Sequence, residues 1–216
     1  MTESAVARLL DTARIHTPGA MDGMLRNELF NVVTEFCQRS DAWQAEVEVP
    51  VVFGSFRYYM PPEVEQGTIN RLLWLEGQRP ATVSSRNTFG PARDGFLKTA
   101  GVSPVLELPS TPTTSETWHA HVALIPLDPT DGQGLPVFPA WFFTKYMTPL
   151  ASGLIARMCA HPAKPYTSPS LAALHGKIFE AGVTLARNES RVGYRSGGQR
   201  WSFPQGFRSG SQRISR

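Results

Sequence analysis

The last 26 residues, 191–216, carry six arginines and no acid, with Tyr194, Trp201, Phe203 and Phe207 set among Gly, Ser and Gln. A segment of this composition cannot bury enough apolar surface to offset the entropy of ordering itself, so it cannot supply a core of its own. The fold must therefore be built from residues 1–190. These carry fifteen lysines and arginines against eighteen acids and are net −3, although the whole chain is +3. The sequence thus reads as a mildly acidic body with a basic, aromatic arm. An arm of this kind gains most by ordering on a partner, where aromatic side chains fill pockets and guanidiniums pair with carboxylates or phosphates. The plainer reading is a frayed terminus.

A body of this length suffices for one sizeable core or for a core with a subdomain. Because the positive charge is confined to one end, nucleic-acid binding over the whole surface is not expected. Cys37 and Cys159 each sit in an apolar helical pattern outside any CxxC or metal-ligand spacing, which favours reduced, buried thiols. The first residues show no basic stretch followed by an unbroken apolar run, so no secretory signal is expected. No stretch reaches the ~20 apolar residues of a membrane-spanning helix.

Periodicity predicts a helix over 3–14, with Val6, Leu9, Leu10 and Ala13 as its stripe, and a second over 21–38 through Leu25, Leu29, Val32, Val33 and Phe36. Thr17-Pro18-Gly19 separates them, and the two are expected to pack as a hairpin. From Trp43 the pattern changes to strand and turn chemistry: Glu46, Glu48 and Pro50 alternate with Val47 and Val49, and a turn through Gly54 leads to Phe56, Tyr58 and Met60. Further short strands are expected at 69–75, 81–84, 105–108 and 118–125, with an exposed loop over 87–101. Helices resume after Pro136 and Pro139. Trp141, Phe142, Tyr146, Leu150, Leu154, Ile155 and Met158 form a wide apolar face. A last helix is expected from Ser168-Pro169 to about Arg187, burying Leu171, Leu174, Ile178, Ala181 and Leu185. Its Gly176 and Gly182 are either close-approach points for a neighbouring helix or merely tolerated.

The resulting fold class is α+β, a helical bundle with an inserted small antiparallel β domain and an extended C-terminal arm. Its parts are an N-terminal helical hairpin (1–43), a β-rich insertion (44–130), a C-terminal helical pair completing the bundle (131–190) and the arm (191–216).

Catalytic chemistry finds no foothold. His119 and His121 alternate on a predicted strand and share one side, but no third ligand stands at recognisable spacing, so no metal site is expected. His161 follows Cys159 without an orienting group. Gly132-Gln133-Gly134 is a turn rather than a phosphate loop, and Asp128 and Asp131 read as part of a polar turn. No enzyme and no cofactor is expected. In the arm, interleaved arginine and aromatic residues could grip single-stranded nucleic acid, which makes a nucleic-acid-binding accessory protein the alternative function. Six charges are sparse for that role and no lysine joins them. Docking onto protein fits better, because an extended segment can add to a partner's sheet while Trp201 and Phe203, on one face, enter pockets until Pro204 interrupts the ladder.

Three segments together resemble the head-to-tail adaptor (connector or head-completion) proteins of tailed bacteriophages. They are PGAMDGMLRNELFNVVTEFCQRSDAWQAEVEVPV (18–51), the run from HVALIPLDPTDGQGLPVFPAWFF to FEAGVTLAR (121–187), and the tail around RVGYRSGGQRWSFPQ (191–205). The resemblance implies a ring, generally of twelve copies, beneath the portal at the capsid vertex, extending the DNA channel toward the tail. It implies the portal protein and tail or nozzle proteins as partners, transient non-specific passage of double-stranded DNA, no membrane, and a place in the virion neck after assembly in the host cytoplasm. The arm would then bind the portal through Arg191, Tyr194, Arg195, Arg200, Trp201, Phe203, Phe207 and Arg208. An acidic channel would let DNA slide, with Glu28 and Glu35 as conjectural lining residues. The β-rich middle departs from the smallest, all-helical adaptors.

Overall fold

Two helices open the chain for the reasons their periodicity gives: α1 (Thr2–His16) buries Val6, Leu9, Leu10 and Ala13, and α2 (Asp22–Ser40) buries Leu25, Leu29, Val32, Val33 and Phe36. In this computed structural model, residues 2–65, 67–77, 96–98, 104–108, 111–127 and 138–193 are described. α2 stops at Asp41, which takes the left-handed conformation (φ 54°) and donates its N–H to the Cys37 carbonyl, closing the last turn. The helices do not form the expected hairpin. α1 packs on a later helix, α3 (Ala140–Ala160), whereas α2 divides its contacts among α3, the last helix and the sheet.

The β region comprises β1 (Gln44–Val51), β2 (Arg57–Tyr59), β3 (Glu63–Val64), β4 (Gly67–Gly77), β5 (Phe96–Lys98), β6 (Val105–Glu107) and β7 (Glu116–Pro126). The strands make two antiparallel sheets, one of order β1-β7-β4-β3 and a smaller one of order β2-β6-β5. Alternation in β1 works as the sequence suggests: Ala45, Val47, Val49 and Val51 are buried, whereas Glu46, Glu48 and Pro50 are exposed. The long central β7 carries Trp118, Ala120, Val122 and Leu124 inward and lies under α2. Trp43, buried just before β1, joins the layers by packing its ring against Phe138 and Phe142 at 5.6 and 6.4 Å.

The expected loop over 87–101 needs correction, because its residues 96–98 pair with β6 as β5. Three residues with a ready-made strand beside them need no turn signal of their own to pair. The expected strand at 81–84 falls outside the described residues.

α3 begins at Pro139 and bends at Tyr146 (φ −111°, ψ 20°), three residues before Pro149, whose ring and missing N–H disturb the preceding turn. Alongside it lies α4 (Pro169–Gly193), six residues longer than the sequence suggested. The helix therefore includes 191–193, the first three residues assigned to the extended arm. Ser190 holds this final stretch: its hydroxyl donates to Ser40 O at 2.7 Å.

Candidate interaction surfaces

α4 presents two apolar faces, and the one that enters the core is not the one its sequence suggested. Phe179, Val183 and Ala186 are buried. Two glycines make this possible. A Cβ at Gly153 of α3 would stand 2.6 Å from the Phe179 ring and 2.8 Å from Val32, and a Cβ at Gly182 would stand 2.3 Å from Pro149. Phe179 thus sits in the gap at Gly153 while the Pro149 ring fills the gap at Gly182, and the helices approach closely. Gly176 has open space around it.

The outer stripe consists of Leu174 (56% exposed), Ile178 (37%), Ala181 and Leu185 (62%), with Leu171 half-buried at its start. Its expected burial is thus overturned. One residue along an α-helix is about 100° of rotation, so the set beginning at Leu174 and the set containing Phe179 are neighbouring faces of one cylinder. The larger aromatic, matched to a glycine gap, takes the interior. The outer set repeats at alternating intervals of three and four, the spacing of a helix that meets another helix along a seam.

A polar layer crosses the bundle beside these faces. Arg157 of α3 reaches Glu35 at 2.6 Å and Glu28 at 3.4 Å. Arg39 bridges Glu35 at 2.8 Å and forms a fork with Glu180 of α4. Burial pushes the Glu35 carboxyl up, but hydrogen bonds from Arg157 and Arg39 more than reverse this and hold it below the usual range. Glu180 is also lowered, chiefly by Arg39. Glu28 and Glu35 are therefore each paired with arginines of the bundle. His161 Nε2 stands 3.6 Å from Glu28, beyond hydrogen-bond reach, and nothing couples it to buried Cys159.

A third surface lies where bundle and sheet meet. Asp41, buried at the end of α2, receives a two-pronged guanidinium from Arg71 of β4, with Nε at 2.7 Å from Oδ1. Ser40, its neighbour, is the residue that Ser190 binds, so α4 ends at the beginning of β1. Among the described residues, β1 is an outer strand of its sheet. Trp43 accepts the Leu124 N–H at 2.8 Å, which makes these two a bonded pair. Alternation then assigns Ala45, Val47 and Val49 to β7 and turns the N–H groups of Gln44, Glu46 and Glu48 to the open side. Pro50, with no N–H to offer, falls on that open side as well.

On the outward face of the same sheet, His119 and His121 do share a side. His119 Nδ1 lies 2.6 Å from Glu46 Oε1, without the alignment of a hydrogen bond, and the His121 ring stacks on Trp74 at 4.3 Å. At the far end of β1, a turn through Gly54 (φ 80°) exposes Val52, Phe53, Phe56 and Tyr59, the last at 84%. Buried Tyr58 ties this turn down by donating to the Ser55 carbonyl at 2.8 Å. The sequence signal for the exposed tip was aromatic density beside a glycine turn, but the alternation of Phe56, Tyr58 and Met60 suggested only a strand.

Of the arm residues proposed from sequence, Arg191 has its backbone in the last turn of α4. Tyr194, Arg195, Arg200, Trp201, Phe203, Phe207 and Arg208 lie outside the described residues. Cys37 and Cys159 are both buried and unpaired, and burial raises both thiol pKa values. Among the described residues no three His, Cys, Asp or Glu side chains gather as a metal site, and no helix is long and apolar enough to cross a membrane. Comparison with protein-family models and with curated proteins gave no match.

Proposed function

We propose that this chain is a non-enzymatic structural adaptor of a tailed-bacteriophage virion, assembling as a homo-oligomeric ring of about twelve copies that joins the portal to the tail and extends the DNA channel, a symmetric closed assembly of the kind most soluble oligomers adopt. The observation that carries this reading is the outer stripe of α4. Leu174, Ile178, Ala181 and Leu185 extend over ~17 Å of helix at ~1.5 Å per residue, and they face away from a core already filled by Phe179, Val183 and Ala186. A monomer gains nothing from a second apolar helix face, whereas a subunit with lateral neighbours buries it. The basic arm supplies a second attachment, with Trp201 and Phe203 as anchors and arginines at the rim.

The test is to mix the full chain with the portal protein of its phage and determine the stoichiometry and symmetry of the complex by native mass measurement and electron cryomicroscopy. Many copies arranged symmetrically beneath each portal are expected. A single copy per portal ring, or no complex under conditions where the portal itself is intact, overturns the reading.

A further inference from the structure

We infer that the open edge of β1 is a docking site for this chain's own C-terminal segment, residues 199–203, laid beside it as an additional strand. Nothing in this docking requires a portal. It gives the arm a resting place on the body that carries it.

Position is the first reason. Ser190 is bonded to Ser40, and Gln44, where β1 begins, is four residues beyond Ser40. The chain leaving α4 at Gly193 therefore starts beside the beginning of the open edge. Residues 194–199 span at most ~20 Å at ~3.3 Å each, which is enough to bring residue 199 alongside Gln44 or Glu46. The short route runs in the same direction as β1.

Capacity is the second reason. The edge offers outward N–H groups only at Gln44, Glu46 and Glu48, since Pro50 ends the row. It can thus hold a strand of about five residues. The first uninterrupted stretch of that length after α4 is Gln-Arg-Trp-Ser-Phe at 199–203, preceded by Gly197-Gly198 and followed by Pro204. Glycine pairs and prolines rarely continue a ladder, so the two segments match in extent.

Charge and polarity are the third. The exposed side of β1 carries Glu46 and Glu48, and Glu48 has no ion pair among the described residues. Glutamates and a proline on an outer strand deter neutral or acidic strands from adding there. They favour a cationic strand. In a strand over 199–203, side chains would alternate, Arg200 and Ser202 on one side and Trp201 and Phe203 on the other. Placing Arg200 with Glu46 and Glu48 puts both aromatic rings on the side where Ala45, Val47 and Val49 are buried, extending the apolar layer. Strand addition of this kind draws affinity from the backbone and selectivity from alternate side chains.

The test uses the full-length protein and residue-level amide hydrogen exchange. Ala45, Val47 and Val49, bonded to β7, report that the sheet is folded. Gln44, Glu46 and Glu48 report the open edge. Docking predicts that these three exchange at least ~10-fold more slowly in the full-length protein than in the full-length W201G/F203G variant, with Ala45, Val47 and Val49 equally protected in both. The charge-reversed E46K/E48K variant should lose the same protection. The effect should not depend on protein concentration, because the segment belongs to the same molecule. Unprotected Gln44, Glu46 and Glu48 in the full-length protein overturn the inference, as does protection that survives W201G/F203G. Protection that grows with concentration also overturns it, assigning the edge to the arm of a second copy.

Discussion

The inner and outer faces of α4 have nearly the same apolar pattern and opposite fates. Inside are Phe179, Val183 and Ala186, set against Gly153 and Pro149; outside are Leu174, Ile178, Ala181 and Leu185, which stay partly or largely exposed. The difference does not lie in hydrophobicity, since leucine and isoleucine exceed alanine in the gain from burial. It lies in shape. Gly153 leaves a gap that the Phe179 ring fills, and Gly182 lets Pro149 approach, so the close-packed solution selects the face that can reach the neighbouring backbone. Hydrophobic residues that cannot be matched in this way remain outside, available to another surface.

Substitutions that attack the inner face should have the largest effect. Phe179→Ala empties the gap beside Gly153 and should lower unfolding free energy by about 3–5 kcal/mol, measured by urea denaturation. A loss below about 1 kcal/mol would mean that Phe179 is not the residue that seats α4. Overfilling should come next. Gly182→Ala places a methyl against Pro149, and Gly153→Ala places one against Phe179 and Val32. Each should cost about 1–3 kcal/mol in the same measurement, whereas Gly176→Ala, with open space around it, should be neutral or slightly stabilising.

Acid should loosen the same helix in two stages. Burial, with a smaller contribution from nearby His16, lowers the His175 pKa from its ordinary value of 6.5. The fold therefore favours neutral imidazole; its contribution is complete above pH 6.5 and is lost as pH falls through the lower folded-state value. Glu35 and Glu180, lowered from 4.5 by the balance described for their arginine partners, add stability that is present above pH 4.5 and disappears below it. Melting temperature should thus be level near neutrality, fall as pH drops below 6.5, and fall again below 4.5. His175→Gln should remove the first decline and leave the second.

The smallest change in stability belongs to the outer face. Leu174→Ser with Leu185→Ser should shift the unfolding free energy of the monomer by no more than about 0.5 kcal/mol per site, because these side chains are already in water. The same double variant should lose ring formation on the portal. If it instead destabilises the monomer as much as Phe179→Ala, the two faces are not distinct and the outer stripe is core.

Much of this arrangement could be read from residue order. Repeats of three and four place α1, α2, α3 and α4, and alternation in 44–51 places β1 with its buried valines. What periodicity cannot supply is the angle at which a helix with two apolar faces docks, because the neighbouring stripes of α4 satisfy it equally. The pairing of Glu28 and Glu35 with Arg157 was hidden for a different reason: more than a hundred residues separate the partners, and only the packing of α2 on α3 brings them together. β5 escaped notice because three residues carry too little pattern to stand out, and its pairing depends on β6 being present. The open edge of β1 became visible only with the strand order and the Trp43–Leu124 bond, which decide which N–H groups face outward. Of the arm that composition singled out, only 191–193, the end of α4, is described, and its proposed contacts lie beyond the described residues.

The bond between Ser190 and Ser40 also has a mechanical side. It fastens the end of α4 to the point where α2 gives way to β1, one residue from the fork between Asp41 and Arg71. Tension on the chain beyond Gly193 therefore enters the molecule at its middle rather than at a loose end. The fastening must yield before α4 can peel away turn by turn, and until it does, the load is divided between helices and sheet. A subunit tethered by its C-terminus would pass its load through this bond to the junction of α2 and β1.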